Sequence, residues 1–307
     1  MDPGPPRLRF SIVVPTRSRP VLLDRCLGAM GLLDYPRTGF EVLVVDDGSD
    51  PPADTVIARH AARLPLRCLR RAGLGPASAR NAGLQQALGE YVVFTDDDCA
   101  PDPNWLRAFD EAFSHSPATA FGGRIVDDPE NGIFGAASQI LVSFLYDDAR
   151  AARGEFRFFC SNNLALPRET LLELSGFDTS FPLAAAEDRD LCARWLKHWE
   201  MQFLSTAIVQ HRQFLDLKSF WAQHYRYGRG AYQFWVRRRS EGHSGNRIES
   251  LRFYLRMLSY PFSRVPFLKA AAMSALLGLS QLATAAGYLA EREDARTVPS
   301  RRRPNSK

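Results

Sequence analysis

The chain has 307 residues, 45% of them hydrophobic and 24% charged, with 21 Gly and 20 Pro; this excludes a disordered tail protein, a collagen-like repeat and a polytopic membrane protein, and leaves room for one large or two small cores. The formal net charge of +5 is unevenly placed: up to His211 there are 21 Lys/Arg against 28 Asp/Glu, a net of −7, and from Arg212 onward 18 against 6, a net of +12. A basic tail on an acidic body points to a polyanionic partner, either nucleic acid or an anionic membrane surface.

Phe10 to Val14 is an apolar run closed by Pro15 and reads as a buried strand; Val21 to Leu33 has apolar residues at helical spacing, with Ser18 and Pro20 as cap and first turn. Glu41 to Val45 is a second strand, Ala53 to Leu64 a second helix, Leu66 to Leu69 a third strand, Ala77 to Leu88 a third helix and Tyr91 to Thr95 a fourth strand. This βαβαβαβ order predicts an α/β fold: a mostly parallel, Rossmann-like sheet flanked by helices on both faces. From Ala118 to Leu166 the pattern is less regular, with Phe121-Gly122-Gly123-Arg124 turn-like and Phe158 to Leu166 strand-like. Arg168 to Leu174 reads as a short helix, Glu187 to Trp199 as an amphipathic helix with Leu191, Trp195 and Trp199 on one face, and Met201 to Val209 as a returning strand. Cys26, Cys68, Cys99, Cys160 and Cys192 show no CxxC spacing, so reduced thiols are expected, and no signal-peptide pattern precedes the first apolar run. The body is expected to stay in the cytosol.

In such sheets ligands sit beyond the carboxyl ends of the strands. Those ends carry Pro15-Thr16-Arg17, Asp46-Asp47-Gly48-Ser49 and Asp96-Asp97-Asp98. Five aspartates on one edge repel one another, so a cation is expected among them, and a hard divalent metal, alone or with a diphosphate, answers best. Each group also has a plainer reading: an acidic triplet suits a solvated loop, Asp-Gly-Ser a turn, and Glu187-Asp188 the favoured first turn of a helix. No GxGxxG follows the first strand and no GxxxxGK[ST] occurs, which removes the main signals for dinucleotide oxidoreductases and P-loop NTPases.

Phe10–Pro15, Val44-Val45-Asp46-Asp47-Gly48-Ser49, Ala79-Arg80-Asn81-Ala82-Gly83, Phe94-Thr95-Asp96-Asp97-Asp98 and Glu187-Asp188-Arg189-Asp190-Leu191 come in a set order. In that order and spacing the chain resembles the family 2 (GT-A fold) glycosyltransferases over residues 8–212, and five motifs in register are far more specific than any one. The resemblance implies an inverting, metal-dependent transfer of a sugar from a nucleotide-diphosphate donor to a hydroxyl acceptor, lipid-linked or polysaccharide. It implies that Pro15, Thr16, Arg17, Asp46, Asp47, Arg80, Asn81, Asp96 and Asp97 line the nucleotide-sugar site. Asp98, with Asp96 and His211, would hold Mn²⁺ or Mg²⁺. Asp188 would be the base that takes the acceptor proton, with Glu187, Asn162 and Asn163 facing the acceptor and sugar. A helix N-terminus lowers the pKa of Asp188, so desolvation by Phe181, Pro182 and Leu183 is expected to act against it. Arg80 as a surface arginine, His211 as a structural histidine and Asn162-Asn163 as backbone caps are the plainer alternatives.

After His211 the pattern turns helical, basic and aromatic: His224 to Trp235 interleaves cations and rings, and Arg237-Arg238-Arg239 follows. Such a mixture suits nucleic acid or a membrane interface; its helical spacing and the transferase-like body favour an anionic membrane or a lipid diphosphate, and nucleic acid is not expected. Ala270 to Ala290 is uncharged and long enough to cross a bilayer, with a core helix as alternative. A single crossing would export Arg292, Arg296, Arg301–Arg303 and Lys307, against the positive-inside tendency, so a helix lying on the membrane, re-entering it or packed is expected. The expected division is a catalytic domain over 1–212, with a nucleotide half near 8–100 and an acceptor half near 101–212, and a helical extension over 213–307. The expected location is cytoplasmic, peripheral on the inner face of the cell membrane. Two rivals are a nucleotidyltransferase, which would release pyrophosphate from a nucleoside triphosphate, and a non-catalytic nucleic-acid or membrane scaffold.

Overall fold

Seven-residue apolar runs buried nearly end to end are what a strand covered on both faces requires, and Phe10–Thr16 (β1) is such a run. Pro20–Met30 (α1) leads to Phe40–Asp46 (β2), buried at every position, which lies parallel to β1 with Phe10 opposite Phe40 and Thr16 opposite Asp46. Asp54–His60 (α2), Leu66–Arg70 (β3), Pro76–Gln86 (α3) and Tyr91–Thr95 (β4) follow, with β3 parallel to β2 and β4 parallel to β1. The polar ends of β1, β2 and β4 therefore meet at one edge. The structure, a computed structural model, describes residues 8–151, 158–181, 185–242 and 249–297.

Beyond this half come Cys99–Pro101 (β5), Trp105–His115 (α4), Ala120–Asp127 (β6), Ile133–Ala151 (α5), Asn163–Pro167 (β7), Arg168–Glu173 (α6), Glu187–Trp195 (α7) and Met201–His211 (β8). The eight strands form one sheet in the order β3-β2-β1-β4-β7-β6-β8-β5. Its first half is parallel as expected, but β7 runs antiparallel to both β4 and β6, and β5 antiparallel to β8, so the whole sheet is mixed. The core fills both faces; Trp105, Phe109, Phe113 and Trp195 are among its largest fully buried side chains.

Several local expectations are corrected. Pro15 does not end β1: the β4 ladder stops at Val13, so Pro15 needs only the β2 pairing and its missing N–H costs little. Ser18 is no helix cap; Arg19 precedes Pro20, and the Ser18 backbone N–H instead donates to the Ser49 hydroxyl oxygen at 2.8 Å. The Phe121–Arg124 segment is strand β6, not a turn. Its glycines reflect crowding, since a Cβ on Gly122 would stand 2.0 Å from the Phe159 ring and one on Gly123 2.3 Å from the Asn163 amide. The strand expected over Phe158–Leu166 begins only at Asn163, α7 ends at Trp195 rather than Trp199, and helices α4 and α5 lie where no helix was read. His211 is the last residue of β8 rather than a residue beyond it.

The chain divides into two compact units: the described part of Met1–Pro182 with Glu187–Phe214, and the described part of Leu183–Ala186 with Leu215–Lys307. The second unit contains Leu217–Ser240 (α8), Leu251–Ser259 (α9) and Phe267–Thr297 (α10). Asp216 and Ser219 form a reciprocal capping box at the start of α8. The α8 and α10 backbones cross at glycines: a Cβ on Gly228 would lie 1.9 Å from the Thr284 carbonyl, and one on Gly287 1.9 Å from that of Tyr225. Arg229 pairs with Glu291 and Asp294, so part of the basic excess is neutralised inside this unit. The uncharged stretch 270–290 lies within α10, which is long and apolar enough to cross a membrane by length and composition. A third of that apolar window is buried within the protein. Arg301–Arg303 and Lys307 fall outside the described residues.

Candidate functional site

The turn after β2 is built by Asp46, whose two carboxylate oxygens accept the backbone N–H of Ser49 at 2.8 Å and of Ala53 at 3.0 Å. Burial acts to raise its pKa, but those hydrogen bonds prevail and hold it below the usual carboxylate range. Asp47 reaches onward to the segment before α3, accepting from Leu74 N at 3.0 Å and Gly75 N at 2.7 Å. The guanidinium of Arg17 lies against Gly73 of the same segment, which has the left-handed φ of +79°. Thr16, at the end of β1, donates its hydroxyl to Asp97 at 2.7 Å. Burial and the Asp98 charge push Asp97 up to about 7.

Asp98 ends the triplet with its Oδ1 3.3 Å from His211 Nε2. Burial raises the carboxyl while His211 lowers it, with a net decrease; for the imidazole, burial lowers the pKa and Asp98 raises it, with a net increase. Arg19 spans Asp97 at 3.3 Å and Asp98 at 3.2 Å. Asp98, Cys99 and His211 offer donor atoms within 4.8 Å of one another. The Cys99 thiol is pushed well up by burial and stays protonated. A carboxylate and an imidazole are a donor pair that suits Mn²⁺, and oxygen donors suit Mg²⁺, so these residues fit a divalent cation.

Arg80 is no surface residue: it projects from α3 and is 4% exposed. Its guanidinium donates to Asp96 Oδ1 at 2.7 Å and to Glu187 Oε1 at 3.2 Å. Burial would lower its pKa, but the two carboxylates outweigh that and raise it. Asn81, the next residue of α3, pins the loop at Phe177, accepting its N–H at 2.8 Å and donating to its C=O at 2.7 Å. That places the Phe177 ring 5.5 Å from the Arg80 guanidinium carbon.

Glu187 and Asp188 open α7. Desolvation, then the Glu187 charge, push Asp188 up to about 7, past the lowering effects of Arg189 and Arg80. Phe181 is buried, whereas Pro182 and Leu183 lie outside the described residues. Asn163 has its side chain committed to the core: it accepts from Trp105 Nε1 at 2.9 Å and donates to the carbonyls of Arg124 and Ala207 at 3.0 Å. Among the described residues, Asn162 Oδ1, Glu187 Oε2, Arg80 Nε and Thr95 Oγ1 are buried without a hydrogen-bond partner.

The structure thus joins Asp96, Arg80 and Glu187 in one chain of ion pairs, and Asp97, Arg19, Asp98 and His211 in another, to which Thr16 is hydrogen-bonded through Asp97. Arg19 was missed by sequence reasoning, which stopped at Arg17; its signal was its place just before Pro20, where a helix start returns the chain to the β1 edge. Gln139 and Gln213 both lie beside the His211 ring; Gln139 was missed because α5 was not read as a helix, and Gln213 carries no motif of its own two residues past His211.

A family model described as "Glycosyl transferase family 2" matches residues 11–174. Hyaluronan synthase of Pasteurella multocida is 27% identical over 239 residues, covering 66% of this chain and 24% of that protein. Glycosyltransferase AglE of Haloferax volcanii is 25% identical over 235 residues, covering 74% of each chain. TarS of Staphylococcus aureus, a poly(ribitol-phosphate) beta-N-acetylglucosaminyltransferase, is 36% identical over 93 residues, 30% of this chain and 16% of TarS. The chain therefore spans a quarter or less of the hyaluronan synthase and TarS, and most of AglE. In fold it resembles the mannosyltransferase PcManGT of Pyrobaculum calidifontis, solved with GDP-Man and Mn²⁺, with TM-score 0.63, 20% identity and coverage of 94% of this chain and 88% of that one. It also resembles residues 1–349 of S. aureus TarS with UDP-GlcNAc, with TM-score 0.54, 19% identity and coverage of 94% and 92%.

Proposed function

The chain belongs to glycosyl transferase family 2, and on that premise we propose that it moves a sugar, with inversion, from a nucleotide-diphosphate sugar to a hydroxyl acceptor. The observation that carries the reading is the contrast between two carboxylates, one just beyond β4 and one at the start of α7: Asp98 is paired with His211 and held ionised, while Asp188 is pushed up to about 7. A group destined to hold a cation needs the first condition, and a general base working at neutral pH needs the second.

In this reading Asp98, with Asp96 and His211, holds Mn²⁺ or Mg²⁺. Bound there, such a cation offsets the charge that builds on the leaving diphosphate. Asp47, Thr16, Arg17 and the backbone of the turn held by Asp46 and Pro15 face the nucleotide, and Asp97 braces Thr16. Arg80 keeps Asp96 and Glu187 at fixed separation, and Asn81 keeps Phe177 beneath Arg80. Asp188 accepts the acceptor hydroxyl's proton as that oxygen attacks the anomeric carbon from the face opposite the diphosphate. Asn162 supplies an unpartnered oxygen toward the sugar or acceptor, and Asn163 holds the strand that presents it. The acceptor is a polysaccharide or lipid-linked hydroxyl. The basic second unit is read as an attachment to an anionic membrane from the cytoplasmic side, supported by its exposed cations beside Leu255, Phe267 and Leu268, the last 83% exposed.

Incubating the protein with α-linked nucleotide sugars, Mn²⁺ and simple glycoside acceptors, then recording the anomeric proton couplings of the product, tests this. A β-linked product with release of nucleoside diphosphate is expected. Retained α configuration, or release of pyrophosphate from a nucleoside triphosphate, overturns it.

A further inference from the structure

His211 can hold a cation through Nε2 only if that nitrogen carries a lone pair, which in a neutral imidazole requires the hydrogen to sit on Nδ1. Two side-chain amides meet Nδ1, from different elements. Gln139, buried on α5, has its Oε1 3.4 Å from it, and Gln213 has its amide nitrogen 2.9 Å away.

The Gln139 amide has a fixed orientation. Its Nε2 donates to the Ile125 carbonyl of β6 at 3.1 Å. A backbone carbonyl can only accept, so the nitrogen must face Ile125 and the oxygen must face the imidazole. That oxygen can in turn only accept, which favours a hydrogen on Nδ1. Gln213 then has to turn its oxygen to the ring, because two N–H groups cannot face each other. The backbone of His211 is also fixed: Asn131 Nδ2 donates to its carbonyl at 2.8 Å, and it stands opposite Cys99 of β5 and Asp127 of β6. With the backbone so fixed, Nε2 stands 3.3 Å from Asp98 Oδ1.

We propose that Gln139 is a positioning residue that fixes His211 as the Nδ1–H tautomer, so that Nε2 presents its lone pair beside Asp98 to a divalent cation. The proposal rests on the cation-holding role assigned to Asp98 and His211. Gln139 acts through His211. Outer partners of this kind typically change metal affinity by about 10–100-fold when removed.

Mn²⁺ affinity measured by electron paramagnetic resonance on the donor-free protein tests it, with apo melting temperature recorded for each variant. Wild-type protein is expected to bind Mn²⁺ and Asp98→Ala to lose it; if wild type binds none, the cation-holding role fails and the proposal with it. Given wild-type binding, Gln139→Leu should weaken affinity about 10–100-fold, and Gln139→Glu, which keeps an acceptor oxygen, should recover most of it. Equal Mn²⁺ affinity in Gln139→Leu and wild type overturns the proposal while leaving the cation site standing. Should Gln139→Leu not fold, long-range ¹H–¹⁵N spectra of the wild-type imidazoles with saturating Mg²⁺ decide, with the His211 signals assigned by their loss in His211→Gln. An Nδ1–H pattern supports the proposal, and an Nε2–H pattern overturns it.

Discussion

Replacing Arg80 by leucine removes the cation that stands between two carboxylates, and its cost follows from what is left behind. Glu187 is 5% exposed, and its Oε2 already lacks a partner. Asp96 keeps 28% of its side-chain surface exposed and can regain water. Breaking a buried ion pair costs about 3–5 kcal/mol, chiefly the charge left unpaired. Because only Glu187 is fully enclosed, the expected loss is about 3 kcal/mol at pH 8, or about 6–12 °C in melting temperature for a unit of this size. The loss has a definite pH dependence. Burial already raises the Glu187 pKa, with Arg80 opposing it, so without Arg80 the carboxyl takes up a proton more readily. A carboxyl with a raised folded pKa favours the folded state below that pKa and loses this contribution as pH rises through it. The deficit of Arg80→Leu should therefore shrink on going from pH 8 to pH 5.5. Arg80→Lys, which keeps the charge but loses the two-pronged geometry, should fall between. Urea unfolding followed by near-ultraviolet circular dichroism at the two pH values measures this. A deficit under about 1 kcal/mol at pH 8, or one unchanged at pH 5.5, would refute the assignment of Arg80 as the clamp between Asp96 and Glu187.

For Asp188, turnover should rise with pH through about 7, falling tenfold per pH unit on the acid side because only the ionised carboxylate accepts a proton. Asp188→Asn should abolish that limb and cost about 10²–10⁴-fold in kcat, with the KM for donor little changed, as steady-state kinetics between pH 5 and 9 will show. Asn163→Ala leaves the Trp105 N–H and the Arg124 and Ala207 carbonyls unpaired in the core. It should destabilise by about 3 kcal/mol in urea unfolding, with no selective effect on donor KM. The protein should float with vesicles rich in anionic lipid and not with zwitterionic ones, and lose that binding in high salt; equal flotation with both would remove the electrostatic part of the membrane reading.

The parallel half of the sheet was readable because its strands are uninterrupted apolar runs, and the same runs put Asp46, Asp47, Asp96, Asp97 and Asp98 at one edge. What escaped sequence reading depended on long-range packing. Gly122 and Gly123 look like a turn until Phe159 and Asn163 are seen pressing on them. The antiparallel strand β7 is hidden because its register is set by β4, some 70 residues earlier in the chain. Arg80 reads as a nucleotide-site residue, with a surface arginine as the alternative, and its burial between Asp96 and Glu187 is hidden until α7 folds back onto α3; Asn163 reads as a site residue until Trp105 claims its oxygen. Charge counting located a basic tail but not its internal pairing of Arg229 with Glu291 and Asp294.

The central claim is that Asp98 and Asp188 divide the work of donor activation and proton removal. The most direct measurement is nucleoside diphosphate release from a panel of nucleotide sugars, with Mn²⁺ and after chelation, for wild type, Asp98→Ala and Asp188→Asn. The account predicts that at least one donor is turned over by wild type with Mn²⁺, that chelation and Asp98→Ala each abolish this, and that Asp188→Asn lowers transfer by about 10²–10⁴-fold while still binding that donor. Turnover that persists without metal and survives both substitutions would contradict it.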